Sequence, residues 1–480
     1  MNNRNLLFLL LLHCIWLSPL MAQQRAIDQF IQTSGLKTAD IAIDLIDTKT
    51  GVSVASFNKD KLLTPASILK IITTATALEI YGPNYRIQTA LQYSGKIDEK
   101  GVLHGDIYVK GAGDPTLSSE FIERDKNDFL KKCTAAIQKA GIKRIEGRII
   151  ADESCFDMEG VSPKWLWEDL GNYFAAGSYG ISYNDNMYRL YLKSGEKGSK
   201  PEIIRTTPEM PQLHFLNFLE AKNNDKDSAY IYGIPFLNER WLFGSIPANK
   251  SSFSIKGDIP DPPYYLASCL YNALINLNIS ISGDPMTYRL LLQNREYPAT
   301  ERNLLYTSYS PPLKDIIRET NVKSNNHYAE HLLKLIALST YSQASFDKGT
   351  ETVKTYWKKK GINLSDIFMY DGSGLSPVNK VAPEIMTDIL LYMNNQSKYA
   401  SDFYASLPVA GKEGTVRNLL KNITSDKSVH LKSGSISNVQ CYAGYLNKGN
   451  KRYVFCFMAN NYGIPRKTLV NAVEKMILNW

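Results

Sequence analysis

The sequence predicts an α+β protein: one antiparallel sheet built from both ends of the chain, helices around it, and a mostly-β insertion between. Three observations predict this. Near the start, Asp40 to Ile46 alternates, Asp47-Thr48-Lys49-Thr50-Gly51 makes a turn, and Val52 to Phe57 returns, which is the pattern of a hairpin. The C-terminal part is again strand-like at His430–Lys432, Gln440–Leu446 and Tyr453–Ala459, with Lys448-Gly449-Asn450 as a turn. Between these, residues 84–300 read as short strands punctuated by Gly, Asn and Asp, and the texture turns helical from about residue 301.

Taken in order, residues 1–22 read as a secretory signal: Arg4, the apolar run Leu6 to Leu17, Pro19, and Ala22 as a cleavage end. Cys14 loosely resembles a lipoprotein acceptor, but His13 before it is the wrong residue for one. The apolar run is too short to span a bilayer, and no later segment qualifies. The mature chain is therefore expected to be exported to the periplasm or cell envelope, with at most peripheral membrane association. Arg25 to Gln32 is a predicted helix, the hairpin follows, and Pro65 suits the start of the apolar helix carrying Ile71, Ile72, Ala75, Ala77, Leu78 and Ile80. Phe129–Ala140 is helical, with a strand through Ile150; Tyr264–Leu277 and a strand-like run after Gly283 echo it, suggesting a duplicated helix–strand unit. A polar segment at about 182–255 reads as a smaller nested module. Helices follow at Leu313–Glu319, Tyr328–Leu338, 349–359 and 383–394, and Arg466–Leu478 closes the chain. The expected organisation is one discontinuous domain of 23–83 and 301–480, with 84–300 inserted.

At 480 residues and 44% hydrophobic, the chain suits a globular protein of two or three domains. Its net charge of +8 is dispersed rather than striped, which gives nucleic-acid binding no support. Attraction to anionic envelope polymers fits the sign. Beyond Cys14 the cysteines are Cys133, Cys155, Cys269, Cys441 and Cys456, with no C-x-x-C, which argues against a zinc knuckle or redox motif. Cys441 and Cys456 lie in strand-like runs and read as buried core thiols.

The chemistry-bearing pair is Ser67 and Lys70, in Thr64-Pro65-Ala66-Ser67-Ile68-Leu69-Lys70. Ser67 falls in the expected first helical turn, and Lys70, three residues on, shares its face. A serine hydroxyl becomes a nucleophile when a base is within hydrogen-bond reach. A lysine serves as that base when desolvation or another cation lowers its pKa. Four further pairs share the spacing, Ser34/Lys37, Ser56/Lys59, Ser194/Lys197 and Ser345/Lys348, in turn-like or polar stretches without a following apolar helix. Two later motifs complete a constellation. Lys323-Ser324-Asn325-Asn326 lies between two helical runs, and Lys432-Ser433-Gly434-Ser435 ends a strand. Ser324 and Lys432 can relay protons, Asn326 can fix a substrate amide, and Ser433 and Ser435 can receive a carboxylate. The backbone N–H groups of Ser67 and Ser435 can form an oxyanion hole. Ser182-Tyr183-Asn184 and Lys193-Ser194-Gly195 match the same patterns but sit in the turn-rich insertion and read as turns and a hairpin. His327-Tyr328-Ala329-Glu330-His331 spells a zinc-peptidase motif. No third ligand emerges from the sequence, and the alternative reading is a solvent-facing helix. No metal or cofactor is expected.

Ser-x-x-Lys, Ser-x-Asn and Lys-Ser-Gly together are the signature of penicillin-binding proteins and serine β-lactamases. Over nearly the whole mature chain the sequence resembles the low-molecular-mass class C penicillin-binding proteins of type 4, the D-alanyl-D-alanine carboxypeptidase/endopeptidase family. The 257-residue interval from Ser67 to Ser324 is part of the resemblance, as are Gly105–Leu117, Ser182–Asn186, Asp371-Gly372-Ser373-Gly374-Leu375-Ser376 and Gly411-Lys412-Glu413-Gly414-Thr415. Ser433 stands where threonine is usual, and Pro377 where arginine is common. The resemblance implies a five-stranded antiparallel sheet flanked by helices with a helical subdomain beside it. It also implies catalytic Ser67, Lys70, Ser324, Asn326 and Lys432, with Ser433, Gly434 and Ser435 at the substrate. The implied partners are peptidoglycan stem peptides, with β-lactams as covalent inhibitors; oligomeric state is left open. The alternatives are a secreted serine esterase or β-lactamase-like hydrolase and a zinc peptidase using His327 and His331.

Overall fold

The computed structural model describes residues 22–122, 128–223 and 225–480. The expected signal, Arg4 and Cys14 lie outside the described residues. The chain forms two compact units. The first holds the chain up to Pro83 together with Ile317–Asn325 and Val353–Trp480; the second holds Asn84–Ile316 and Asn326–Thr352. The second unit thus includes 301–316 and 326–352 as well as the 84–300 segment.

In the first unit, β1 (Asp40–Asp47), β2 (Ser53–Phe57), β3 (Lys427–Ile436), β4 (Val439–Lys448) and β5 (Lys451–Asn460) form one sheet in the order β3-β4-β5-β1-β2. Every pairing is antiparallel. β4 and β5 are buried almost throughout, on alternate residues of both faces, as strands sandwiched between layers must be. On one face, helix α1 (22–31) and the C-terminal helix α4 (Arg466–Asn479) bring Ile27, Phe30, Leu469, Val473 and Met476 onto Ile43, Leu431 and Phe457. On the other lie α2 (Lys70–Tyr81) and α3 (Pro383–Asn395). There Thr387 donates to Asp44 at 2.7 Å and the Tyr445 hydroxyl to the Leu390 carbonyl at 3.0 Å. α2 is buried on all sides from Lys70 to Leu78, which marks a core helix rather than a surface one. Its threonines satisfy themselves locally: Thr74 and Thr76 donate to carbonyls one turn back, and Trp357 Nε1 donates to Thr76.

The second unit carries the helix–strand echo in space. The helices Asp128–Lys139 and Pro262–Ile275 share one hydrophobic cluster. The short strands after the second helix, Ser280–Ile281 and Met286–Thr287, pair in parallel with their counterparts after the first, Arg144–Ile145 and Ile149–Asp152. Residues 187–258 form two further small sheets around a separate core of Leu190, Leu192, Ile231, Leu242 and Ile255.

Two local expectations are corrected. Asn303–Tyr309 is a strand, paired antiparallel with Gln88–Tyr93, although the helical region was expected to begin at about 301. Its run of Leu, Tyr, Thr and Tyr suits a strand once a partner edge is present. Ser345 precedes a helix, Phe346–Lys359, and its hydroxyl accepts from the Lys348 backbone N–H at 3.1 Å. That Ser-x-x-Lys is a helix cap.

Candidate active site

Ser67 stands in a 3₁₀ turn, Ala66–Leu69, and the α-helix starts only at Lys70. The expected placement in the first α-helical turn is corrected by this tighter winding. The difference is useful, because residues i and i+3 eclipse in a 3₁₀ helix. Lys70 Nζ thereby lies over Ser67 and donates to its Oγ at 3.0 Å. Ala66, just before the serine, has φ +46°, a left-handed conformation that an alanine adopts only under constraint.

That constraint comes from the loop after residue 370. Asp371 accepts hydrogen bonds from the backbone N–H of Gly374 (2.8 Å) and Ser376 (2.7 Å) and from Asn379 Nδ2 (2.9 Å). Wound this way, the loop offers two carbonyls to α2. Gly372 accepts from Thr73 Oγ1 at 2.7 Å, and Ser373 accepts from Lys70 Nζ at 2.7 Å. Gly374 has φ +80°, and a Cβ there would stand 1.9 Å from the Ala66 carbonyl oxygen. This loop and the 3₁₀ turn that carries Ser67 are therefore fitted to each other at van der Waals limits.

Ser324 follows the helix Leu313–Lys323 and has φ +58°, the left-handed step that ends many helices. The helix is pinned by Asn321, which donates to Thr74 (3.3 Å) and Ser406 (3.0 Å). Lys432 Nζ donates to Ser324 Oγ at 2.9 Å and to the Ser433 carbonyl at 2.7 Å. Lys70 and Lys432 are both fully buried. Burial, and after it the nearby ammonium of Lys70, hold Lys432 well below the ordinary lysine range.

β3 is the edge of its sheet. The Leu431 N–H donates to the Pro408 carbonyl, and the Val429 carbonyl accepts from Ala410 N–H. Odd-numbered residues of β3 thus turn their backbone groups away from β4. The register with β4 runs unbroken through Ile436, so Ser433 and Ser435 point theirs the same way. Gly434 is the point of closest approach: a Cβ would lie 2.6 Å from the Pro65 carbonyl oxygen and 2.9 Å from the Ser67 nitrogen. Ser433 Oγ shares a 2.8 Å hydrogen bond with Thr415 Oγ1.

The first unit therefore brings together Ser67, Lys70, Ser324, Lys432, Ser433, Gly434 and Ser435. Asn326 belongs to the second unit, where its Nδ2 donates to the Phe174 carbonyl at 2.8 Å. The sequence reading assigned no role to Asp371, Ser373 or Thr415; their presence in the Asp-Gly-Ser-Gly and Gly-Lys-Glu-Gly-Thr runs was the available signal. The helix with His327, Glu330 and His331 is buried, not solvent-facing. His331 Nδ1 bonds the His327 carbonyl at 2.8 Å, and its Nε2 bonds Ser182 Oγ at 2.7 Å. Ser182 is accordingly part of a buried network rather than an ordinary turn, and Ser194 donates to the Pro247 carbonyl. Among the described residues no group of three or more His, Cys, Asp or Glu side chains is placed to hold a metal ion.

A half-buried serine against a buried lysine, a second Ser–Lys pair beside it and an edge strand are the parts of an acyl-transfer site. The profile of the D-Ala-D-Ala carboxypeptidase 3 (S13) family matches residues 23–478. The chain belongs to this family. It is a serine-type D-Ala-D-Ala carboxypeptidase acting on peptidoglycan. Among its relatives, D-alanyl-D-alanine carboxypeptidase DacB of Haemophilus influenzae is 27% identical over 415 residues, covering 85% of this chain and 83% of the relative. The D-alanyl-D-alanine carboxypeptidase of an Actinomadura species is 25% identical over 468 residues, covering 92% of this chain and 81% of that one. The crystal structure of penicillin-binding protein 4 from Haemophilus influenzae superposes with a TM-score of 0.79 at 23% identity, covering 94% of this chain and 98% of that one. The fold is that of this penicillin-binding protein 4.

Proposed function

We propose that Ser67 is the residue acylated by the substrate. The observation that carries this is the contact of the fully buried Lys70 Nζ with Ser67 Oγ at 3.0 Å. As Oγ attacks the carbonyl carbon of the penultimate D-alanine, its proton passes to Lys70, which acts in its uncharged amine form. The developing oxyanion is held by the N–H groups of Ser67 and Ser435, donors of a kind worth about 2.7–4 kcal/mol each. The C–N bond then breaks, and the leaving amine receives a proton through Ser324 and Lys432, whose groups lie 2.9 Å apart. Asn326 fixes the substrate amide, on its place two residues after Ser324. Ser433 and Ser435 receive the terminal carboxylate. Water finally splits the acyl ester and restores Ser67.

When the leaving amine is a free terminal D-alanine, this is carboxypeptidase action; when it belongs to a neighbouring cross-linked stem, it is endopeptidase action. β-Lactams acylate the same serine, a reading supported by a 22%-identical Haemophilus influenzae penicillin-binding protein 4 whose structure is complexed with a β-lactam. The working place is the periplasm or envelope, reached through the 1–22 signal. The division into a peptidase domain from both chain ends and an inserted 84–300 segment with a nested module remains our proposal. The test is intact mass after incubation with a penicillin. One adduct is expected, lost in Ser67→Ala; no adduct, or one that persists in Ser67→Ala, overturns the assignment.

A further inference from the structure

The outer face of a small mixed sheet within residues 187–258 breaks the usual rule that the solvent-facing side of a sheet is polar. Glu239–Pro247 is its central strand, flanked by His214–Asn217 and Glu220–Lys222 on one side and Ser228–Tyr232 on the other. Arg240, Leu242 and Ile246 point into the core; Glu239, Trp241 and Phe243 point out. The register sets Leu216 and Tyr232 beside Trp241, and Tyr230 beside Phe243. Phe218 stacks on Phe243 with centroids 5.1 Å apart, and Trp167 lies over Tyr232 at 4.6 Å. These rings are exposed: Phe218 is 60% accessible, Trp167 56% and Tyr230 43%. A contiguous exposed aromatic face of this kind marks a binding surface.

The charges around it choose the occupant. Across the register His214 and Glu239 bound one end of the aromatic band, and Glu220 and Ser228 the other. Glu168 sits close enough to Tyr232 to bear on its hydroxyl. Lys222, the cation at the Glu220 end, is paired with Glu220. An acidic rim repels an anionic lipid surface, where a basic one would be needed. It also sets carboxylate against carboxylate when two copies meet face to face. A neutral sugar chain suits both features. Its C–H faces pack on aromatic rings, and its hydroxyl and acetamido hydrogens find carboxylate acceptors.

We propose that this face binds the glycan strand of peptidoglycan, an amino-sugar chain left uncharged where its lactyl carboxyl groups are amide-linked to stems, and so holds the enzyme on its polymer while stem peptides are cleaved elsewhere on the chain. The proposal rests on the polymer class of the family's substrate and not on the assignment of Ser67. The experiment measures co-sedimentation with chitin, an uncharged N-acetylglucosamine polymer, and tryptophan fluorescence on titration with N-acetylglucosamine oligomers. The full mature chain is compared with Trp241→Ser/Tyr230→Ser and with Trp167→Ala. Wild type is expected to bind both probes and the variants to bind roughly tenfold more weakly or worse. Circular dichroism and hydrolysis of a soluble D-Ala-D-Ala peptide should be unchanged in the variants. Equal binding by the variants, no binding of either probe by wild type, variant-sensitive binding to phosphatidylglycerol vesicles alone, or a variant-sensitive dimer that binds neither probe would each overturn it. Absence of peptide hydrolysis or of a Ser67 adduct would strike the catalytic reading and leave the glycan result standing.

Discussion

Asp371 is the hub of the loop that meets Lys70. Its carboxylate accepts hydrogen bonds from Gly374, Ser376 and Asn379, and the carbonyl of Ser373 that this winding presents accepts from Lys70 Nζ. Asp371→Asn keeps the shape but sets an NH₂ against a donor. Displacing a catalytic group by about 1 Å can cost roughly 10²-fold in rate, so kcat/KM for a D-Ala-D-Ala peptide should fall by about 10–100-fold with the fold intact by circular dichroism. Gly434→Ala should do more, since its Cβ would press on the Pro65 carbonyl and the Ser67 nitrogen at once. The rate of acylation by a penicillin should collapse while Tm falls only modestly. Lys432 offers a spectroscopic check. Removing its cationic neighbour in Lys70→Met should raise the pH at which Lys432 Nζ titrates by NMR. The value should stay below that of an ordinary lysine, because burial is the larger cause.

At the scale of elements, the 3₁₀ turn at Ala66–Leu69 and the left-handed step at Ser324 do the positioning, and neither is written plainly in the chain. The Ser-x-x-Lys, Ser-x-Asn and Lys-Ser-Gly patterns were legible because side-chain chemistry names them. The five strands of the first unit are legible because Asp40–Ile46 alternates, the C-terminal runs are rich in apolar and aromatic residues, and the turns between them are strong. The role of the Ser373 carbonyl was not legible, since every residue has a carbonyl and only the fold aims it. Asn303–Tyr309 escaped because its strand character depends on the edge of Gln88–Tyr93, more than 200 positions away. The helix after the decoy at Ser345 is legible at 349–359, but its start at Phe346 and the cap at Ser345 are not, because Phe346–Lys359 is amphipathic rather than apolar. Ser345→Ala should cost about 1 kcal/mol of stability through loss of the cap, measurable by urea unfolding, and leave penicillin acylation unchanged.

For the molecule as a whole, buried titratable groups of the second unit set its response to acid. His331 is held at about 4, mainly by burial, against an ordinary value near 6.5. The unfolded chain therefore takes up the proton first, and stability is lost as pH falls from about 6.5 towards 4. Asp114, raised to about 6, and Glu153, raised to about 7, both mainly by burial, act in the opposite sense and add stability as pH falls through those values. His331→Gln removes one acid-labile contribution of about 2 kcal/mol at about pH 5. The drop in Tm between about pH 7.5 and 5 should therefore be smaller in the variant than in wild type; an equal or larger drop would refute the assignment. Lys432 carries a different consequence. A lysine buried against another lysine is a standing strain on the native state, held in place by the rest of the fold. Lys432→Met should yield a protein without peptidase activity that melts a few degrees higher, so thermal robustness in this enzyme is a poor guide to whether its active site works.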